Sequence, residues 1–168
     1  MMKRWLTLLL AGVMTLSLAA CGGGGVDEET ADADLTEVYS SLEAACDWWT
    51  EGYMVDIDGE MLEMYYPGLG ALETEQLIVK TAMMSAVANE VALVKCRSEE
   101  DADKAAEILQ ARIDYQVGDD ENPGGAFYPE SIESWKKASV QRQGNCVAMI
   151  AVDGKQAELE EIFNGAFR

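Results

Sequence analysis

Two apolar runs of matching pattern most constrain the fold of this chain. Residues 89–94, NEVALV, and residues 145–150, NCVAMI, each begin with asparagine and continue into apolar residues that favour strands. Each run follows another strand-like stretch and precedes an amphipathic helical pattern. This order predicts an α+β fold built as ββα twice over, with a four-stranded, mostly antiparallel sheet and helices packed on one face. Because β propensity alone can produce such a match, duplication of the two halves stays an open question.

Turn signals place the strands within this pattern. One hairpin is predicted from strands over residues 77–84 and 89–97, around a turn near Ala88 and Asn89. A second hairpin is predicted from strands over residues 138–142 and 146–152, because Gly144 and Asn145 suit a tight primed turn.

Capping patterns mark where helices begin. Asp34 stands three residues before a glutamate, and an apolar stripe then runs at helical spacing to Trp49, with the helix ending near Gly52. Ser98 with Asp101 opens another amphipathic helix in the same way. The N-terminal amphipathic helix over residues 34–49 is therefore added to the sheet. Shorter helices are predicted over residues 61–66, from Pro129, and from residues 153–156 onward.

The first 21 residues have the pattern of an export signal that ends at a cysteine. Lys3 and Arg4 precede an apolar stretch, and small residues lead to Cys21. Residues 18–21, LAAC, resemble a lipobox, in which the cysteine receives a diacylglycerol and the bond before it, here between Ala20 and Cys21, is cut. A membrane span and the first helix of a core are the alternatives, but the stretch is shorter than the ~18 to 20 apolar residues that a span needs, and four glycines follow it. We therefore expect a signal peptide over residues 1–20 and lipidation at Cys21.

The remaining chain divides into a short tether and one domain. Residues 21–33, CGGGGVDEETADA, are glycine-rich and then acidic, which is typical of a flexible tether. Residues 34–168 are expected to form a single α+β domain. Lipidation would hold this domain at the extracytoplasmic face of the cell membrane through its N-terminal diacylglycerol-cysteine, since two or three acyl chains anchor a protein firmly.

The charge of the chain limits its partners. The full chain carries 12 basic and 31 acidic residues, a formal net charge of −19. Loss of residues 1–20 would remove Lys3 and Arg4, leaving ten basic residues against 31 acidic ones and a charge of −21. Nucleic acid and anionic headgroups would both repel such a chain. We expect no nucleic-acid partner, and a partner that is an unknown envelope protein or a small ligand.

Cysteine and histidine content restricts the chemistry. Besides Cys21, the cysteines Cys46, Cys96 and Cys146 remain, an odd number without Cys-x-x-Cys spacing. Their apolar contexts favour buried free thiols, with one bridged pair as the alternative. The chain has no histidine, which excludes Ser-His and Cys-His relays and imidazole metal sites. The sequence therefore predicts no catalytic residue, no metal ligand and no cofactor.

Four aromatic residues are the candidate ligand contacts: Trp48, Tyr53, Tyr65 and Tyr66. Trp49 falls on the apolar stripe and is predicted to lie in the core, which leaves Trp48 as an exposed platform. Such a ring can stack on a sugar or a peptide. A pocket that gathers these four residues would mark a binding site.

Acidic segments suggest two further functions. Residues 55–60, VDIDGE, look like part of a calcium loop but lack two essential oxygen ligands, so Asp58 is better explained as a helix cap. The acidic runs at residues 119–121 and 27–29 could collect calcium. Asp56, Asp58 and Glu60 could serve a carboxylate-dependent hydrolase, which needs two carboxylates ~5 to 9.5 Å apart in a cleft.

Several segments together resemble a known family. They are the run 79–85, VKTAMMS, the strand 90–95, EVALVK, the helix ending in Ala111, Arg112 and Ile113, and the hairpin before a terminal helix with Phe163. Their order is similar to that of small bacterial lipoproteins with the domain of unknown function 4358, over roughly residues 34–167. The resemblance implies an extracytoplasmic lipoprotein of a Gram-positive bacterium, with no established activity and no catalytic residues to transfer. The cysteine content departs from the family, so no family-wide role for these thiols is inferred.

The favoured hypothesis is a non-enzymatic binding or interaction module anchored outside the membrane. It rests on the predicted anchor and tether and on the lack of a nucleophile-base pair in the sequence. Such a module would contact a partner or a small ligand through its sheet face or its loop rims. The alternatives are a small carboxylate-dependent hydrolase and a calcium-dependent envelope module.

Overall fold

A computed structural model describes residues 32–84 and 86–168 of the chain. Its strands form one sheet with the spatial order β1-β2-β3-β5-β4, and every neighbouring pair is antiparallel. The strands are β1 (Met54–Asp56), β2 (Thr74–Ala82), β3 (Asn89–Cys96), β4 (Ser139–Gln143) and β5 (Cys146–Val152). The predicted α+β class and both predicted hairpins are confirmed, but the described residues form five strands rather than four.

The additional strand is β1, which pairs with the end of β2. The sequence of residues 55–60 resembles part of a calcium loop. Asp56 instead lies opposite Lys80 in the sheet and forms an ion pair of 2.7 Å with it. Asp58 stands at the N-cap of the following helix, although its side chain makes no capping hydrogen bond. A strand of three residues is too short to show alternation, which is why the pattern missed it.

Five α-helices surround the sheet in the described part of the chain. Asp34 accepts a hydrogen bond from the Thr36 backbone N–H, and Ser98 accepts one from the Asp101 N–H, so both predicted helix starts are confirmed. The first helix ends sooner than predicted, at Ala45 rather than near Gly52. The helices are α1 (Leu35–Ala45), α2 (Gly59–Tyr65), α3 (Glu99–Val117), α4 (Pro129–Trp135) and α5 (Gln156–Gly165), with a 3-10 turn at Leu69–Ala71.

Helices cover both faces of the sheet, and the prediction of helices on one face is wrong. Alternate residues of β3 enter two separate cores, with Val91 and Leu93 on the side of α1 and α5, and Ala92 and Val94 on the side of α3. All seven residues of β5 are buried. Central strands buried on both faces carry near-continuous apolar runs instead of alternation, as β3 and β5 do.

The antiparallel pairing gives the sheet two distinct ends. At the proximal end, β2 and β5 begin and β3 ends. Asp32, the first described residue, lies at this end, where its carboxylate accepts a hydrogen bond of 2.5 Å from the Lys95 ammonium. At the distal end β2 ends and β3 begins, with Asn89 opposite Val152 of β5. The eight residues of β3 separate these ends by roughly 24 Å, at about 3.4 Å per residue. Helix α3 follows β3 and so returns from the proximal to the distal end.

The three described cysteines are free and buried, as the sequence favoured. Cys146 lies opposite Lys95 across the strand pair, so Cys96, one residue further along β3, faces the other core. That geometry separates the two thiols on opposite sides of the sheet. Residues 1–31, including Ala20, Cys21 and the acidic run 27–29, lie outside the described residues. None of the described helices is both long enough and apolar enough to span a bilayer.

Candidate functional site

A buried ion pair stands at the distal end of the sheet. Glu90 of β3 is 3% exposed and Arg112 of α3 is 8% exposed. The Arg112 guanidinium donates from Nε to Glu90 Oε1 at 2.8 Å and from Nη2 to Oε2 at 3.0 Å. The Tyr66 hydroxyl donates to Oε1 at 2.5 Å, and the Thr81 hydroxyl donates to Oε2 at 3.2 Å. Each carboxylate oxygen therefore accepts two hydrogen bonds, which stabilises a charge in a buried position.

Aromatic rings enclose the cation of this pair. The Arg112 Cζ lies 4.5 Å from the ring centroid of Tyr65, 5.5 Å from that of Trp135 and 5.8 Å from that of Tyr66. Burial by itself lowers the pKa of Arg112, but the hydrogen bonds and charge of Glu90 outweigh burial and raise the pKa above its usual value. Burial and then the adjacent Glu90 charge raise the pKa of Tyr66 well above its usual value. The arginine therefore stays charged, and the tyrosine stays a hydrogen-bond donor.

The ion pair borders a central cavity of about 290 Å³. Its walls come from α2, the turn between β2 and β3, α3, and the segment that leads into α4, including Tyr65, Trp135 and Tyr128. Gln116, one helical turn after Arg112, also lines the cavity, and its buried Oε1 accepts no hydrogen bond from any described residue. A buried acceptor without a partner costs ~1 to 3 kcal/mol.

A glycine loop positions one wall of this cavity. Gly125 donates its backbone N–H to Tyr115 O at 2.8 Å, and Ala126 donates to Gln116 O at 3.1 Å, so the loop lies against the end of α3. A Cβ at Gly124 would come within 2.3 Å of the Gln116 carbonyl oxygen. Only glycine fits so close to the backbone of α3. Phe127 and Tyr128 follow Ala126 directly and line the cavity.

Two further cavities adjoin the central one. A cavity of about 500 Å³ shares Tyr65 and Arg112 with it and is otherwise lined by residues of α2, α3 and Pro67. A cavity of about 350 Å³ on the other side shares Val87 and Asn89 and contains Trp48 and Tyr53. The Trp48 and Trp49 indole N–H groups both donate to Asn89 Oδ1, at 3.4 Å and 3.2 Å. The three cavities are therefore contiguous along the distal end.

The large hydrophobic side chains that the described residues expose are concentrated around these cavities. Seven of the eight line one of the three cavities, and the other, Met84, follows Met83 at the tip of the β2–β3 turn. Met84 and Phe127 are 88% and 86% exposed, which is unusual for side chains of this size. We call this surface the apolar band. Its residues are Trp48, Met61, Met64, Met83, Met84, Tyr115, Phe127 and Tyr128.

No single cavity gathers the four predicted ligand contacts. Trp48 is 36% exposed and lies with Tyr53 in one cavity, while Tyr65 lies in the other two. Trp49 is buried, as predicted. The prediction of Tyr66 as a ligand contact is wrong, because its side chain is fully buried and its hydroxyl donates to Glu90.

The ion pair and most residues of the apolar band were not predicted from the sequence. Glu90 is the only acidic residue in the apolar run 89–94, and Arg112 stands between Leu109 and Ile113 on the buried face of α3. A charged residue within each of two apolar patterns is a signal for a buried pair. The side chains of the band lie in five separate segments of the chain, and no local pattern connects them.

The geometry bears on both alternative functions. The central cavity is lined by a single carboxylate, Glu90, which is held by Arg112 rather than by a second acid. Asp119 closes its own loop, since its Oδ1 accepts the backbone N–H groups of Glu121 at 2.8 Å and Asn122 at 2.7 Å. Within residues 32–84 and 86–168, no group of three or more acidic or cysteine side chains is arranged to hold a metal ion.

Comparison with known proteins gives one match. No curated protein and no solved structure matches this chain significantly. A family described as a domain of unknown function (DUF4358) matches residues 47–152, more than half of the chain. The match includes all five strands, the buried ion pair and the residues of the apolar band, and leaves out α1 and α5. The chain therefore belongs to the family of the domain of unknown function DUF4358.

Proposed function

We propose that this protein is a lipoprotein anchored at the extracytoplasmic face of the membrane, where it acts as a non-enzymatic binding module through its apolar band. The concentration of exposed large hydrophobic side chains at the distal end carries the proposal. Soluble domains seldom expose such side chains together unless they contact another molecule there. The three contiguous cavities give the band the concave shape of a binding surface.

The buried ion pair supports a binding role rather than catalysis. Both oxygens of Glu90 are fully engaged, and Arg112 holds it as a salt bridge. A general acid or base must exchange a proton with a substrate, which this arrangement does not favour. The pair instead fixes β3 relative to α3 and so holds the rims of the cavities in place.

The anchoring part of the proposal rests on residues 18–21 and is tested through Cys21. When the full chain is expressed, we expect the cleaved product to be recovered from the membrane fraction with an acylated Cys21 as its first residue. The Cys21→Ala variant should be recovered unacylated. Intact-mass measurement distinguishes these products, and an uncleaved, unacylated wild-type chain would contradict the anchor.

The binding part is tested by site-directed photo-crosslinking in the membrane-anchored full chain. A photoreactive phenylalanine analogue at Phe127 should give a discrete covalent adduct in the cell envelope. The same analogue at Ala44 or Ala157, which are exposed on α1 and α5, serves as the control. Failure to form an adduct at Phe127, or equal adducts at all three positions, would contradict a binding role for the band.

A further inference from the structure

We infer that the apolar band binds a segment of another protein in which apolar side chains are flanked by lysine or arginine. This inference rests on the proposed binding function and names its partner. The partner is defined by its chemistry: apolar groups for the cavities and cationic groups for the rim.

The interior of the band favours apolar side chains. The central and the α2-side cavities have volumes of about 290 and 500 Å³ and meet at Tyr65 and Arg112. The charge of Arg112 is neutralised by Glu90, so these cavities present no net charge from the pair. Four methionines on the rim can adapt their shape to an inserted side chain, since methionine is unbranched and polarizable.

The rim of the band is acidic. Glu60 and Glu63 lie beside Met61 and Met64 on α2, and Asp114 lies beside Tyr115 on α3. Glu130, two residues after Tyr128, adds a further carboxylate. All four acids are exposed, and none forms an ion pair with a described residue. A partner with basic residues beside its apolar groups would gain complementary charge at this rim.

A polypeptide fits these features better than a lipid surface does. Anionic headgroups would be repelled by the acidic rim. The band also lies at the distal end of the sheet, while Asp32, from which the chain continues toward Cys21, lies at the proximal end.

A second copy of the chain is disfavoured by charge. Each chain has a formal net charge of −19, and two copies meeting at the band would bring both acidic rims together. The complementary partner therefore has to carry positive charge.

The test identifies the segment that the band contacts in the cell envelope. The photoreactive analogue is placed at Phe127 or Met84 of the full chain, and the adducts are digested and sequenced by mass spectrometry. We expect protein segments with apolar residues and lysine or arginine within a few positions. The triple variant Glu60→Gln, Glu63→Gln and Glu130→Gln should lower adduct yield about fivefold to tenfold, since each rim charge contributes to association.

The matched control removes the same charge from the other side of the molecule. The variant Glu37→Gln, Glu43→Gln and Glu161→Gln changes exposed acids on α1 and α5 and should leave the yield within twofold. Equal losses in both triple variants would overturn the inference. Adducts with lipid, with a second copy, or with segments that lack basic residues would overturn it as well, while leaving the proposed binding function standing. Absence of any adduct at Phe127 and Met84 would overturn both.

Discussion

The two ends of the sheet each pair a cation with acids, but in opposite environments. At the proximal end, Lys95 contacts Asp32 at 2.5 Å and Glu75 at 3.6 Å; the side chain of Asp32 is 86% exposed and that of Glu75 is 47% exposed. At the distal end, both Glu90 and Arg112 are enclosed, and Tyr66 and Thr81 complete the carboxylate's hydrogen bonds. Solvent therefore screens the proximal ion pair, whereas loss of either partner of the distal pair would leave a buried charge unpaired.

The exposure of hydrophobic side chains also differs between the two ends, in the opposite direction to the exposure of the charges. The distal end, with its buried charges, exposes the large hydrophobic side chains of the apolar band, whereas the cavity at the proximal end includes the buried Phe167 and Cys146. An end built for stability alone would bury its hydrophobic groups, as the proximal end does. The contrast supports the proposed binding function of the apolar band, whose central cavity the buried ion pair borders.

The largest expected effect comes from breaking the distal pair. Glu90→Gln or Arg112→Met should each lower the free energy of unfolding by about 3 to 5 kcal/mol, because either change leaves a buried charge without its partner. Urea denaturation of each variant measures this difference. The double variant Glu90→Leu with Arg112→Met should lose less than the sum of the singles, and single losses below about 1 kcal/mol would remove the contrast between the ends.

The buried thiols at the two ends should depend on pH in the same way. Burial in apolar surroundings raises the pKa of Cys146, near the proximal end, to about 11, although the charge of Lys95 opposes the shift. Burial likewise raises the pKa of Cys46, on the distal side, to about 11. The folded state holds the thiol proton more tightly than the unfolded state does. The protonated thiol therefore makes its full contribution to the free energy of unfolding below about pH 9, and this contribution is lost as the pH rises to about 11.

That loss should be roughly 2 to 3 kcal/mol for each thiol, since one pKa unit corresponds to about 1.4 kcal/mol. Urea denaturation between pH 8 and pH 11 under reducing conditions measures it. The Cys46→Ala and Cys146→Ala variants should each show a shallower decline than the wild type over this range. If the free energy of unfolding declined with pH as steeply in both variants as in the wild type, burial would not be what raises the pKa of these thiols.

A smaller effect is expected from the proximal pair. Lys95→Met should change the free energy of unfolding by less than about 1 kcal/mol, because ion pairs with exposed partners contribute little. Urea denaturation at low and high salt measures the change. A loss as large as that of Arg112→Met would show that the two ends do not differ in the way their environments indicate.

The smallest effect on stability is expected from the band itself. Met84→Ser and Phe127→Ser should each change the free energy of unfolding by no more than about 0.5 kcal/mol, because both side chains are mostly exposed. Thermal denaturation measures this, with Leu93→Ala in the core as a comparison that should cost about 2 to 5 kcal/mol. Large losses from the band variants would mean that these residues serve the fold rather than a partner.

Local pattern was sufficient for most elements of secondary structure. The caps at Asp34 and Ser98, the turn at Gly144 and the strand over residues 146–152 all depend on neighbours within a few residues, and the structure confirms them. The pattern failed at β1, which is held by pairing with β2 rather than by its own three residues. The pattern also gave the wrong layer arrangement. The apolar runs of β3 and β5 were assigned to a sheet with helices on one face, whereas helices cover both faces.

The sequence by itself determined the class of the fold, the two hairpins, the acidic charge and the exclusion of histidine chemistry, because each depends on composition or on short-range order. Its predicted anchor at Cys21 lies outside the described residues and stays a prediction. Only the tertiary structure decided that Glu90 meets Arg112 and that Met61, Met83 and Phe127 share one surface. These contacts join residues far apart in the chain, and they arise because antiparallel strands and a returning helix bring distant segments to the same end of the sheet.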